Sequence, residues 1–281
     1  MLAVSYAKIN LFLEIRGKLP GGYHEVDTLL ASIGLFDSIK YTLTKKQGIK
    51  TWCEVPELCT ENNLMTRVAG YMWQKYHPTT GVEMHLDKRI PITAGLGGGS
   101  SNAANVIRAL NSLWELNLTD KEMHSLAAEH GSDVNFFLEG GVCFGSGRGE
   151  KITPTHDIVL DHILLVNPGI AISSREAYQL ATFEHEPRHF DPARPLESCF
   201  NRLENGICEK YPAVRSILSK MTRLGARVAM MSGSGSTCFG VFDDDNALES
   251  CRAEFSADRF WTYATRTITR DEYQQCFPSL N

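Results

Sequence analysis

The sequence predicts a two-domain protein of the α+β class, and three observations carry that prediction. Its 281 residues suit about two hydrophobic cores rather than one. Segments of period two alternate with segments of helical period, with no internal repeat or heptad array to impose a solenoid or a coiled coil. Beyond Gly149-Glu150, proline becomes frequent, at Pro154, Pro168, Pro187, Pro192 and Pro195, which places a boundary near residue 152. The expected domains are therefore residues 1–152 and 153–281.

Taken in order, Ala7, Ile9, Leu11, Leu13 and Ile15 alternate in an opening strand, which leaves Lys8 and Asn10 together on its other face. Pro20-Gly21-Gly22 makes a turn that presents Tyr23 and His24. Asn62 or Asn63 caps a helix that turns Leu64, Val68 and Met72 inward and ends before Pro78. Val82, Met84 and Leu86 alternate with polar residues in a second strand. Ala103, Ile107, Leu110 and Trp114 form one apolar helix stripe, with Ser100 or Ser101 as the expected N-cap. A capping box of Thr119 and Glu122 opens a helix that buries Met123, Leu126 and Ala127 and stops at Gly131, directly before Asp133. The second half is expected to hold a buried strand at 163–166, helices near 174–180 and 211–221, and a strand, Gly-Ser loop, strand unit at 228–242.

The segment with the clearest chemistry is residues 91–104, where Gly95, Gly97, Gly98 and Gly99 lead into small polar residues and the predicted helix. Glycine lets a ligand approach the main chain, and the first amides of a helix lack intrahelical partners and sit at the positive end of its dipole. Strand, glycine loop, helix is the setting a polyphosphate needs. A P-loop is excluded, because Leu19 follows the Gly17-Lys18 pair, and a dinucleotide fingerprint is excluded, because Ser100 stands where the third glycine belongs.

Composition narrows the class. With 28 basic against 33 acidic residues and a formal charge of −5, the chain offers no overall attraction for nucleic acid or an anionic membrane, so any anion site must be local. No apolar run approaches the ~18 residues of a membrane span, and Lys8 and Asn10 interrupt the place where a signal peptide needs its apolar core. A cytoplasmic enzyme is the simplest expectation. The eight cysteines contain no Cys-x-x-Cys pair and read as reduced core thiols. Glu184, His185, Glu186, His189 and Asp191 resemble a metal cluster, but Pro187 argues against a helix carrying both histidines on one face; the segment reads as a solvated loop and no metal ligands are assigned.

Lys8 on a polar strand face, Asp133 past a helix stop and the glycine loop together suit phosphoryl transfer from ATP to an alcohol. Backbone amides and Mg²⁺ would hold the triphosphate while a carboxylate accepts the hydroxyl proton and a lysine orients it. Each residue also fits a plainer role: Lys8 as a solvated edge-strand lysine, Asp133 as a cap for residues 134–138, and the Ser232-Gly233-Ser234-Gly235-Ser236-Thr237 run as a hairpin loop.

Over nearly its whole length the sequence resembles the GHMP kinase family. The resemblance is carried by Tyr6-Ala7-Lys8-Ile9-Asn10-Leu11, Gly22-Tyr23-His24-Glu25, residues 91–104, Gly131-Ser132-Asp133-Val134, Gly147-Arg148-Gly149-Glu150, Asn167-Pro168-Gly169, Asn201-Arg202-Leu203-Glu204 with Tyr211-Pro212, and residues 231–239. It implies an N-terminal ribosomal-protein-S5-like domain and a C-terminal ferredoxin-like domain, with ATP and an alcohol meeting between them. Lys8 and Asp133 match the family's catalytic pair. Ala94, Gly95, Leu96, Gly97, Gly98, Gly99, Ser100, Ser101, Asn102, Ala103 and Ala104 match its ATP loop. The order of the Lys-Ile-Asn, Gly-Tyr-His and Gly-Ser segments points to a branch that acts on the 2-hydroxyl of a cytidine diphosphate derivative of methylerythritol, in isoprenoid precursor synthesis. Asn10, Tyr23, His24, Gly233, Ser234 and Gly235 match that branch's substrate positions, ATP and Mg²⁺ are the implied cofactors, and a monomer or homodimer is implied. Two positions depart from the pattern: Gly21 stands where Asp is common before Gly-Tyr-His, and Asn135 where Pro often follows Asp-Val. The open alternatives are a family member acting on mevalonate, homoserine or a sugar, which Tyr23 and His24 discriminate, and a non-catalytic nucleotide sensor.

Overall fold

A computed structural model describes residues 1–182 and 186–276. The first sheet is built around two long strands, β1 (Leu2–Lys18) and β2 (His24–Thr44), paired antiparallel. On the far side of β2 lies β4 (Gly81–Asp87), antiparallel to it and flanked by the parallel edge strand β3 (Ile49–Cys53). The other end of β2 pairs with β5 (Val142–Ser146), which pairs in turn with β6 (Lys151–Pro154). Helices α1 (Leu64–Tyr76), α2 (Gly98–Leu113), α3 (Asp120–His130) and α4 (Val134–Glu139) cover one face, and Met65, Val68, Met72, Ile107, Leu110 and Phe137 lie in their shared core.

The second sheet has the order β11 (Trp261–Thr265), β7 (Ile163–Asn167), β10 (Cys238–Val241), β9 (Val228–Met231), antiparallel throughout. Numbered within this unit the order is 4-1-3-2, the ferredoxin-like arrangement. Helices α5 (Ser174–Leu180), α6 (Glu204–Lys210), α7 (Pro212–Arg223) and α8 (Asp245–Ala257) belong to it, and Ala177, Ile207, Val214, Ile217, Leu248 and Phe255 share one core cluster with Leu164, Val166 and Cys238 of its strands.

The two units are tied at several points. The two-residue strand β8 (Phe200–Asn201) adds in parallel to β1 at Phe12 and Leu13, and α9 (Arg270–Gln275) returns to the first core, burying Tyr273. Pairing in the first sheet runs on to Pro154, two residues past the expected boundary. Glu14, buried in β1, accepts both Nε and Nη2 of Arg202 at 2.7 Å and the amides of Arg188 and Ile15. Burial alone would raise this carboxyl; the four donors outweigh it and hold the pKa below its ordinary value.

The predicted elements form close to where the sequence placed them. Asn63 caps α1 by accepting from the Met65 amide, and the Thr119–Glu122 capping box is complete. The cap of α2 differs from expectation. Gly97, at φ 71°, takes that position, its carbonyl accepts from the Ser101 amide at 2.9 Å, and Ser100 and Ser101 lie inside the first turn. The cysteines also differ: Cys143, Cys208, Cys238 and Cys251 are core thiols, but Cys59 is exposed and Cys53, Cys199 and Cys276 are half-buried. Glu184 and His185 of the histidine-rich stretch lie outside the described residues. Among the described residues no helix is long and apolar enough to cross a membrane.

Candidate active site

The glycine loop leaves β4 and meets β1 at Lys8, whose amide donates to the Leu96 carbonyl at 3.0 Å, before entering α2. Its shape is fixed from beneath by Asp37 of β2, which is fully buried. One carboxylate oxygen accepts the amides of Arg89 and Ile90 at 2.7 and 2.8 Å; the other accepts Lys88 Nζ at 2.8 Å and Asn102 Nδ2 at 3.1 Å. One side chain thus joins the exit of β4 to the first turn of α2. Burial pushes the Lys88 ammonium below its usual pKa, against the pull of Asp37. Lys88 also passes over Gly98, where an added Cβ would come within 3.0 Å of its Nζ, so the first helical residue has to be small.

Lys8 Nζ donates to Asn10 Oδ1 at 2.5 Å and to the Gly95 carbonyl at 2.8 Å, and stands 3.8 Å from Asp133 Oδ2. Three donors therefore face three oxygens, from β1, the glycine loop and the start of α4. Burial lowers the Lys8 pKa, while the Asp133 charge opposes the shift. The Asp133 side chain makes no capping bond to α4 and is 37% exposed, which removes the reading of Asp133 as a simple cap and leaves its carboxylate open to the cleft. Asn10 is 4% exposed and engaged at both ends, to Lys8 and through Nδ2 to Thr28 Oγ1 at 2.8 Å.

The Gly-Ser loop closes over this group. Asn201 Nδ2 donates to the carbonyls of Met231 and Gly233, both at 2.8 Å, and Ser232 Oγ donates to the same Gly95 carbonyl that Lys8 holds. The fit is close on both sides: a Cβ on Gly95 would lie 2.1 Å from the Ser232 carbonyl oxygen of the backbone, and one on Gly233 would lie 2.9 Å from the Lys8 side-chain Nζ.

These pieces bound a cleft of about 390 Å³. Lys8, Asn10, Ala94, Gly95, Gly97, Gly98, Gly99, Ser100, Asn102, Asp133, Gly233 and Ser234 line it, all of them positions the sequence singled out. Leu96, Ala103 and Ala104 do not; they are buried at 1%, 0% and 0% exposure, Ala103 and Ala104 because α2 turns that stripe toward the first core, and Leu96, in the loop before α2, because it packs in a separate cluster with Ala7, Ile9 and Leu11 of β1. Ser101 and Gly235 are buried as well. Tyr23 and His24 line an adjoining pocket of about 630 Å³, which shares Ser174 and Tyr178 with the cleft. The His24 ring stacks on Tyr178 at 5.0 Å and 8°, and the Arg148 guanidinium lies 5.0 Å over the Tyr23 ring.

Several site residues escaped the sequence reading. Tyr178 is one; its signal is a lone aromatic in a short helix. Its hydroxyl pKa is raised by burial first and by the Asp133 charge second, and both residues line the cleft. Leu58, Asn63, Leu64 and Leu86 form an apolar end of the cleft beyond the glycine loop, and Arg148 and Arg175 bring positive charge to the second pocket.

Comparison with known proteins fits this arrangement. Residues 63–141 match the model of the GHMP kinases N terminal domain and residues 190–259 that of the GHMP kinases C terminal domain. The chain is 35% identical over 275 residues to a 4-diphosphocytidyl-2-C-methyl-D-erythritol kinase of Geobacter sp. (strain M21), covering 93% of this chain and 97% of that protein. The chain belongs to the GHMP kinase family. It is a kinase, and GHMP kinases use ATP. The kinase of the same name from Prosthecochloris aestuarii is 37% identical over 276 residues, with 93% and 94% of the two chains covered. A crystal structure of a 4-(cytidine 5'-diphospho)-2C-methyl-D-erythritol kinase superposes with a TM-score of 0.84 at 29% identity, over 95% of this chain and 99% of that one.

The family pattern's two departures are accommodated. Gly21 has φ 80°, a conformation suited to glycine. Asn135 donates to the Glu150 carbonyl at 3.0 Å and presents Oδ1 to His124 Nδ1 at 3.1 Å, while His124 Nε2 meets Glu139 Oε1 at 2.9 Å. Both ring nitrogens thus face oxygens, and the imidazolium satisfies both. The bond to Glu139 raises the His124 pKa from 6.5, and His124 lowers that of Glu139 from 4.5. The pair's stability is therefore in place between these ordinary values, and is lost as pH rises through the raised His124 pKa or falls through the lowered Glu139 pKa. His124→Gln is expected to lower Tm by about 2 °C at pH 5.5 and by much less at pH 9, read by calorimetry at both.

Proposed function

We propose that this kinase transfers the γ-phosphoryl group of ATP to the 2-hydroxyl of 4-diphosphocytidyl-2-C-methyl-D-erythritol, giving the 2-phosphate and ADP, a step of the methylerythritol route to isoprenoid precursors. The observation that carries the proposal is the meeting of Lys8 Nζ and Asp133 Oδ2, 3.8 Å apart, in the cleft that the glycine loop bounds. We place residues 1–152 as the unit bearing the nucleotide loop and both reacting groups, residues 153–281 as the unit closing over them, and the enzyme in the cytoplasm as a monomer or homodimer.

In this reading the amides at the start of α2 hold the β- and γ-phosphates, and the apolar end of the cleft at Leu58, Asn63, Leu64 and Leu86 takes the adenine. Asp133 accepts the hydroxyl proton. Lys8, held by Asn10 and Gly95, orients that carboxylate and balances charge as the oxygen attacks. Asn10 acts by positioning Lys8, because both ends of its side chain are already engaged. The donor chemistry fits Mg²⁺: Ser100 and Asp133 supply hard oxygens to the cleft, and the ion would join phosphate oxygens there and neutralise their charge. Tyr23, His24 and Tyr178 suit the cytosine by stacking and edge contacts, Gly233 and Ser234 lie along the substrate path with Gly235 buried next to them in the chain, and Arg148 and Arg175 suit its diphosphate.

The test is ADP release measured with a panel of alcohols that includes mevalonate, homoserine, a sugar and the cytidyl erythritol; turnover should appear with the last alone. Turnover with another acceptor instead would overturn the substrate, and none with any acceptor would overturn the transfer. Tyr23→Ala is expected to raise the KM of the cytidyl substrate about tenfold, since stacking one base contributes about 1–3 kcal/mol, with the KM of ATP unchanged. An unchanged substrate KM would remove Tyr23 from the base site.

A further inference from the structure

Phosphoryl transfer makes no use of two thiols that lie next to residues of the cleft, Cys59 beside Leu58 in the chain and Cys53 in register with Leu86. Cys53 ends β3, and the short 3-10 turn Pro56–Leu58 folds the chain back so that Cys59 meets it. Cys59 Sγ accepts from the Cys53 amide and donates to the Cys53 carbonyl, both at 3.2 Å. Val55 bridges the two: its amide lies 3.5 Å from Cys53 Sγ and its carbonyl 3.8 Å from Cys59 Sγ. A sulfur that touches its partner's own backbone is within side-chain rotation and a small backbone shift of the sulfur on that residue. Cys59 is exposed and Cys53 half-buried, so small reagents in solution reach the pair through Cys59.

We propose that Cys53 and Cys59 form a thiol–disulfide site that reacts with low-molecular-weight disulfides, and that the bond it forms narrows the end of the cleft assigned above to adenine. The Cys59 thiolate attacks one sulfur of the small disulfide; that S–S bond breaks, and one small thiolate leaves with the electron pair and takes a proton. The Cys53 thiolate then attacks Cys59 Sγ in the mixed disulfide and displaces the second small thiol. Two cysteines are oxidised to one disulfide, and one small disulfide is reduced to two thiols. Cys59 is the first to attack because it is exposed while Cys53 is half-buried, and burial also raises the Cys53 thiol pKa.

The route to the cleft is short. The carbonyl of Leu58, next to Cys59, accepts Asn63 Nδ2 at 2.7 Å, and Asn63 caps α1 through the Met65 amide at 3.0 Å. Leu58, Asn63 and Leu64 line the cleft. Cys53 is in register with Leu86, which also lines the cleft, as does Lys88. Drawing Cys59 onto the Cys53 sulfur draws Leu58 toward Leu86 and closes the space between them.

This inference rests on the reading of the cleft as the ATP site, and the experiment separates the two. The whole protein is incubated with glutathione disulfide and freed of it. Peptide mass spectrometry then looks for a Cys53–Cys59 link, and ATP binding is measured by calorimetry before and after. The expected result is the linked peptide, lighter by two hydrogens, with ATP affinity lowered about fivefold, equivalent to about 1 kcal/mol, and restored by dithiothreitol. Cys59→Ser should bind ATP as the reduced protein does and show no response to the disulfide. The proposal is overturned if no 53–59 link forms, or if it forms and ATP affinity stays the same. A reduced protein that does not bind ATP would overturn the nucleotide reading and this proposal with it.

Discussion

Asp133→Asn is expected to lower kcat by about three orders of magnitude while leaving both KM values within about twofold, since a positioned general base contributes about 10²–10⁴ in rate. The substitution keeps the shape of the residue at the start of α4 and removes a charge that makes no capping bond, so the start of the helix should be untouched. It also takes from Lys8 an opposite charge near its ammonium that favours the protonated form, against a burial that disfavours it. Steady-state kinetics with each substrate varied in turn decides the point. Near-normal kcat would remove Asp133 as the base, and a loss confined to KM would recast it as a binding group.

Gly95→Ala should be the most damaging single methyl in the chain's functional region. Residue 95 has φ 76°, which costs a non-glycine residue about 1–2 kcal/mol, and its new Cβ would sit 2.1 Å from the Ser232 carbonyl oxygen, which belongs to backbone and cannot swing aside. The expected loss is about 3 kcal/mol of stability, read as a fall in the urea midpoint, together with most of the activity, because the Gly95 carbonyl holds both Lys8 and Ser232. Gly99→Ala provides the contrast. Nothing lies within 4 Å of its would-be Cβ, so stability should hold or rise by about 0.5–1 kcal/mol. The methyl instead enters the proposed phosphate site, and the KM of ATP should climb. Equal stability losses in the two variants would contradict the packing argument.

Much of this site was legible in the sequence because each part carried a local signal: alternation put Lys8 and Asn10 on one strand face, Gly131 ended a helix just before Asp133, and glycines marked the turn into α2. The cap of α2 was misplaced because Ser100 and Ser101 have strong capping chemistry, whereas Gly97 wins through a left-handed conformation that propensity does not reveal. The long strand β2 escaped because it is paired on several sides and buried over residues 28–33 without alternation, so the period of two disappears where the strand is most central. Tyr178 and Asp37 owe their roles to chain segments far away, and no window of sequence around either contains its partners. The convergence of Lys8 with Asp133 was likewise a chemical expectation rather than a visible pattern, and only tertiary contact joins them.

Lys8 is 3% exposed, and its ammonium faces oxygens of Asn10, Gly95 and Asp133. An amine enclosed in this way is hidden from electrophiles, so acylating agents that modify the outward lysines of the native enzyme should spare it until the chain unfolds. Its reactivity would then serve as a chemical clock for opening of the cleft, started by denaturant and read peptide by peptide.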